Sequence, residues 1–142
     1  MLHIKHSLFV DLFQFIRTIV YKRWLDKNKY YYNLFFPFKF WFYDYKFLSK
    51  RLITVLNDYK FIKSLDKDYY IFLSPIGVYG GYDLPNKVYV NIQRQDREIA
   101  KTVIHEIIHL MYETEVIRLN LTQDEKEELV DNKYKEFVEN DI

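Results

Sequence analysis

The chain has 142 residues, 21 Lys+Arg against 20 Asp+Glu for a net charge of +1, and no cysteine. That length supports a single domain over 1–142 with a real core, and the missing cysteines exclude a disulfide framework and a thiolate-ligated metal site while fitting a reducing, cytoplasmic setting. Charge divides the chain: residues 1–66 form a basic, aromatic-rich half at +7 and residues 67–142 an acidic half at −6. Opposite net charges favour packing of the two halves on each other. The other use of the basic half is contact with an anionic membrane surface or nucleic acid; intramolecular packing is the simpler reading, and no nucleic-acid partner is expected.

From Ser7 to about Leu25, Leu8, Phe9, Leu12, Phe13, Ile16, Ile19, Val20 and Trp24 recur at helical spacing, with Asp11, Gln14, Thr18 and Lys22 on the other side. The pattern predicts an amphipathic helix with its apolar stripe toward the core. Asp11, Gln14 and Arg17 interrupt it too often for a transmembrane span, and no small-residue cleavage site follows it; peripheral membrane contact is the alternative. His3 and His6 precede the helix on what reads as a frayed terminus and are treated as non-ligands. Residues 30–47 hold more aromatic surface than one loop can hide, so part of that run needs a partner to bury it. A further amphipathic helix is expected with Leu48, Leu52, Val55, Leu56, Tyr59 and Ile62 on its apolar stripe.

Two strands follow, Tyr69–Leu73 and Lys87–Ile92, the second alternating Val88, Val90 and Ile92 with Tyr89 and Asn91. Between them, residues 74–86 contain all three glycines and two of the three prolines and read as a connecting loop. A long helix comes next, with Gln95 or Asp96 as its cap and Glu98 near its positive end. The stretch Asn120–Glu125 is turn-like, and Thr122 with Glu125 spells a capping box for a last helix from about 123 to 139.

His105-Glu106-Ile107-Ile108-His109 lies inside the long helix. One turn separates i and i+4, so the two imidazoles project side by side and can hold one metal ion, while Glu106 reaches a water on that ion. Val103, Ile104, Ile107, Ile108, Leu110 and Met111 share one apolar arc, and both histidines lie opposite it. That side suits the floor of a cleft and a solvated surface equally. A catalytic zinc takes a third protein ligand, and with Glu115 rather than a histidine at the last position of the H-E-x-x-H-x-x-G-x-x-H pattern, a carboxylate must supply it. On the last helix Glu127 flanks the stripe of Leu129, Val130, Tyr134, Phe137 and Val138, whereas Glu128 points nearly opposite. Asp131, one turn on from Glu127, is placed to orient a liganding imidazole.

H-E-x-x-H followed at this distance by Glu127-Glu128-Leu129-Val130-Asp131, an E-x-x-x-D, resembles the gluzincin metallopeptidases, and the chain's size is most similar to the single-domain minigluzincins. The resemblance covers roughly residues 69–139. It implies a zincin-like α+β fold: an antiparallel or mixed short sheet, a zinc-site helix and a C-terminal ligand helix, here preceded by amphipathic N-terminal helices. It further implies Zn2+ held by His105, His109 and Glu127, Glu106 as general base and Asp131 as histidine orienter; a strict M1-type spacing would instead select Glu128. Gluzincins add an oxyanion stabiliser, for which Tyr134 is a candidate on the inward face of the last helix. The implied activity is zinc-dependent hydrolysis of a peptide or protein substrate, bound as an added strand along a sheet edge for which Lys87–Ile92 is the candidate. The competing reading is a latent or regulatory metal-binding zincin-like protein, acting through protein or membrane-surface contacts of its N-terminal half. Oligomeric state is left open.

Overall fold

The computed structural model describes residues 1–22, 44–75 and 79–138. The elements run β1 (Leu2–Lys5), α1 (Leu8–Lys22), α2 (Tyr45–Leu56), α3 (Lys60–Lys63), β2 (Tyr69–Ser74), β3 (Gly80–Asp83), β4 (Lys87–Asn91), α4 (Asp96–Leu119) and α5 (Gln123–Val138). Helices and a four-stranded sheet mix in an α+β architecture, with strand order β1-β2-β4-β3. The β1–β2 and β2–β4 pairs are parallel and β3–β4 is antiparallel, so the sheet is of the mixed kind. Among the described residues no helix is long and apolar enough to cross a membrane.

Alternation places Tyr69, Ile71 and Leu73 of β2 with Val88 and Val90 of β4 in the core, where they join Val103, Ile104, Ile107 and Ile108 of α4. Each such fully buried aliphatic side chain contributes about 1.5–3 kcal/mol by leaving water. On the other pleat face Phe72 and Tyr89 stack across the strands with ring centroids 5.4 Å apart. The sheet corrects one expectation: Lys87–Asn91 is an inner strand, paired on both sides, and the edge beside α4 is β3. That edge lies within the stretch 74–86 read as a loop. Gly80 and Gly81 carry no period-two signal, and pairing of Gly80 with Val90 and Tyr82 with Val88 makes the strand.

The basic and acidic halves share this sheet and core. β1 pairs Leu2 with Tyr69 and Ile4 with Ile71, so the terminus expected to fray is an edge strand. His3 Nε2 meets Asp68 Oδ1 at 3.2 Å and His6 Nε2 meets Asp11 Oδ2 at 2.9 Å. Arg51 of α2 reaches Asp96 of α4 at 2.7 Å, joining a cation of the first half to an anion of the second. The helix expected through Ile62 is broken into α2 and α3, with Asn57 as the C-cap of the first and Tyr59 as the N-cap of the second. Its stripe holds: Leu52, Leu56 and Ile62 are buried and Leu48, Val55 and Tyr59 pack against them. Of the aromatic run 30–47, positions 30–43 lie outside the described residues.

Over its described side chains α1 reverses the sequence expectation, while Ile19, Val20 and Trp24 of the expected stripe lie outside them. Leu8, Phe9, Leu12, Phe13 and Ile16 are 49–78% exposed, whereas Asp11 and Gln14 are buried. Asp11 is drawn inward by His6, whose ring stacks on Tyr45 of α2 at 3.4 Å, and this polar clasp sets the roll of the helix.

The last two helices set up the site. Asp96 bonds to Arg51 and Gln95 occupies the N-cap of α4 without a side-chain bond, so neither expected cap acts through its side chain. Asn120 ends α4 in the left-handed conformation at φ 52°. Two residues later the capping box begins: Thr122 N–H donates to Glu125 Oε2 at 2.7 Å and Glu125 N–H to Thr122 Oγ1 at 3.4 Å. The short turn folds α5 back on α4, Val130 and Val138 entering the core and Phe137 stacking on Phe61 of α3 at 5.2 Å.

Candidate metal centre

The helical repeat brings the Nε2 atoms of His105 and His109 to 3.1 Å. α5 supplies Glu127, whose Oε2 stands 3.4 Å from His109 Nε2 and 3.7 Å from His105 Nε2. Gln123 donates to the other oxygen, Oε1, at 2.6 Å, so the carboxylate is turned with one lone-pair edge toward the imidazoles. Ligands about 2.0–2.1 Å from a tetrahedral ion lie roughly 3.3 Å from one another, and the three edges bracket that value. This is the group among the described residues that could hold a metal ion. Glu128 is exposed and belongs to no such group.

Electrostatics suit ligation. His109 is 4% exposed, and burial pushes its pKa down to about 4; Glu127 opposes the shift, while His105 and Lys126 add to it. The imidazole is therefore neutral over the physiological range and its lone pair is available. Both histidines lie off the main apolar arc of α4, yet His109 is buried because Tyr82 of the edge strand lies over it, ring centroids 5.2 Å apart. Met111, expected on that arc, is 42% exposed. Asp131 Oδ1 is 3.8 Å from His105 Nδ1, beyond direct hydrogen bonding but within ion-pair reach.

Glu106 turns toward the edge strand. A Cβ built on Gly80 would come 2.5 Å from Glu106 Oε1 and collide with Thr102, so only glycine permits this approach of β3 to α4. Burial, with help from Glu127 and against Lys126, raises the Glu106 pKa to about 7. Beside it opens a cleft of about 420 Å³, lined by Gly80, Lys101, His105, Glu106, Asp131 and Tyr134 among others. Tyr134 stands across the cleft with its ring 6.4 Å from that of His105.

Four participants escaped the sequence reading. Tyr82 OH donates to Glu113 Oε2 at 2.8 Å, Lys126 Nζ bonds to the same oxygen at 2.9 Å, and Lys126 also contacts the Tyr82 hydroxyl. This triad joins β3, α4 and α5 around His109. Glu113 was findable, lying one turn beyond His109 on the same helix face, and Lys126 adjoins Glu127. Tyr82 and Gly80 had no local signal, since strand pairing alone brings them here.

No family model, curated protein or solved structure matches the chain.

Proposed function

We propose that the protein is a small zinc metallopeptidase of gluzincin type, with a zincin-like fold, that hydrolyses peptide bonds. The observation that carries this reading is the closed His105–His109–Glu127 triangle with the buried carboxylate of Glu106 beside it. Two imidazole nitrogens and one carboxylate oxygen form a donor set suited to a borderline ion, with a fourth position left for water or substrate. Zinc, when bound, polarises the scissile carbonyl and acidifies the attacking water.

The chain's own residues do the rest. Glu106 accepts the proton of the attacking water and returns it to the leaving amine, a task for which a carboxylate titrating near neutral pH is matched. Asp131 biases the His105 imidazole toward carrying its proton on Nδ1, leaving Nε2 as the ligand atom. Tyr134 lines the cleft wall, but its hydroxyl is buried, so it serves a developing oxyanion only by turning outward. The edge strand β3, rather than the inner strand β4, offers main-chain groups for an extended substrate peptide.

The test is Glu106→Gln. The variant is expected to bind one zinc per chain, measured by metal analysis, and to lose cleavage of an unfolded casein substrate. Full activity in the variant, or failure of the wild-type chain to bind stoichiometric zinc, overturns the reading.

A further inference from the structure

We propose that the cleft selects peptides carrying a carboxylate close to the scissile bond, with the guanidinium of Arg94 as the recognising group and Lys101 beside it. The inference rests on the peptidase reading of the site and adds its substrate class.

Arg94 lies in the turn between β4 and α4. Its Nη2 donates to Thr102 Oγ1 at 2.7 Å and to the Tyr79 carbonyl at 3.3 Å, and the guanidinium lies over the Tyr79 ring, 4.3 Å from the centroid. Thr102 is fixed in turn, its hydroxyl donating to the Glu98 carbonyl at 3.0 Å. These partners hold the group in place, yet none of them is a carboxylate. Among the described residues Arg94 forms no ion pair, Nη1 forms no hydrogen bond, and Nε is buried without an acceptor. Burial pulls the guanidinium pKa down and the Glu98 charge opposes that shift, but an arginine remains a cation at neutral pH. A partly buried cation anchored only by neutral oxygens is costly by itself and becomes favourable once a carboxylate accepts from its planar fork.

Its place in the fold gives this charge a use. The cleft beside the metal centre and a second cavity of about 670 Å³ share Tyr79 as a wall. Thr102 lines the first and Arg94 the second, so the bond between them joins the two. Thr102 precedes Glu106 by one turn of α4, about 6 Å along the helix axis. Both crowd the same point beside Gly80 of the edge strand. A peptide extended along β3 advances about 3.3 Å per residue, so Arg94 meets a group about two residues from the reacting carbonyl. Lys101, exposed on the cleft wall, adds a second cation at that end. Of the carboxylates nearby, Asp131 faces His105 at 3.8 Å, and Glu98 lines the second cavity but is exposed, where solvent and salt screen it.

The experiment is calorimetric titration of the full-length chain carrying Glu106→Gln, which is not expected to cleave, with and without one equivalent of zinc. The probes are three acetylated pentapeptides: Ala-Glu-Ala-Glu-Ala-amide, the all-alanine amide, and the all-alanine peptide ending in a free carboxylate. At least one carboxylate-bearing peptide is expected to bind about ten- to a hundredfold more tightly than the neutral amide, the span of one charge-assisted pair. Which of the two does so separates an internal acidic side chain from a chain terminus. Arg94→Gln is expected to erase the preference, and Arg94→Lys, which keeps the charge, to restore part of it. Equal affinity for all three peptides, a preference that survives Arg94→Gln, or a lysine variant no different from the glutamine variant overturns the proposal. Because the titration needs no turnover, its outcome is separate from the zinc and cleavage measurements that decide the peptidase reading.

Discussion

Gly80 of the edge strand and Glu106 of α4 approach so closely that no β-carbon fits between them. The edge strand is thereby set directly against the proposed general base, and its main chain forms part of the cleft wall. Gly80→Ala is expected to push aside the Glu106 carboxylate and Thr102 while leaving the imidazoles in place. Displacing a catalytic group by a fraction of an ångström to 1 Å costs about ten- to a hundredfold in turnover. Peptide cleavage assayed beside zinc titration should show that loss with metal affinity changed far less; equal losses of both would contradict it.

Glu127 and Glu128 are adjacent, yet only Glu127 faces the imidazoles. Glu127→Ala is expected to weaken zinc binding by about 100-fold or more, and Glu128→Ala to leave it near wild type. Asp131→Ala should fall between them, at about tenfold, because its 3.8 Å contact orients a ligand without being one. Competitive titration against a chromophoric chelator ranks the three.

Burial raises the Glu106 pKa from 4.5 to about 7 in the metal-free chain, so the folded state holds this proton more tightly than the unfolded state does. Its favourable contribution is complete below pH 4.5 and is lost as pH rises through about 7. Glu106→Gln removes the penalty of burying the charge. In chelator the variant should exceed wild type by about 3 kcal/mol at pH 8 and by much less at pH 5, read from urea denaturation.

Lys126 and Glu113 form a largely buried pair, with side chains 13% and 17% exposed, completed by the Tyr82 hydroxyl. Lys126→Met should destabilise the chain by about 2–4 kcal/mol, because Glu113 is left as an unpaired charge in a poorly hydrated place. Lys126→Met with Glu113→Gln should recover much of that loss, since no lone charge remains. Thermal denaturation of the set measures the coupling; additive losses would show that the triad does not act as a unit.

Local repetition made several features legible. The i to i+4 spacing of His105 and His109 fixes their adjacency on any α-helix, the Thr122–Glu125 box fixes where α5 begins, and the phase of Glu127 against Val130 and Val138 fixes which carboxylate turns inward. Strand β4 showed in its alternation for the same reason.

Contacts between distant segments decided the rest. Sequence periodicity defined an apolar face on α1 but not the direction in which it points; the bond from Asp11 to His6, whose ring stacks on Tyr45 of α2, turned it outward. β3 exists through its ladder with β4, and by that pairing Gly80 and Tyr82 arrive beside Glu106 and His109. A residue's own neighbours determine the face it shares, whereas what lies opposite that face depends on chain segments tens of residues away, and only the folded arrangement specifies them.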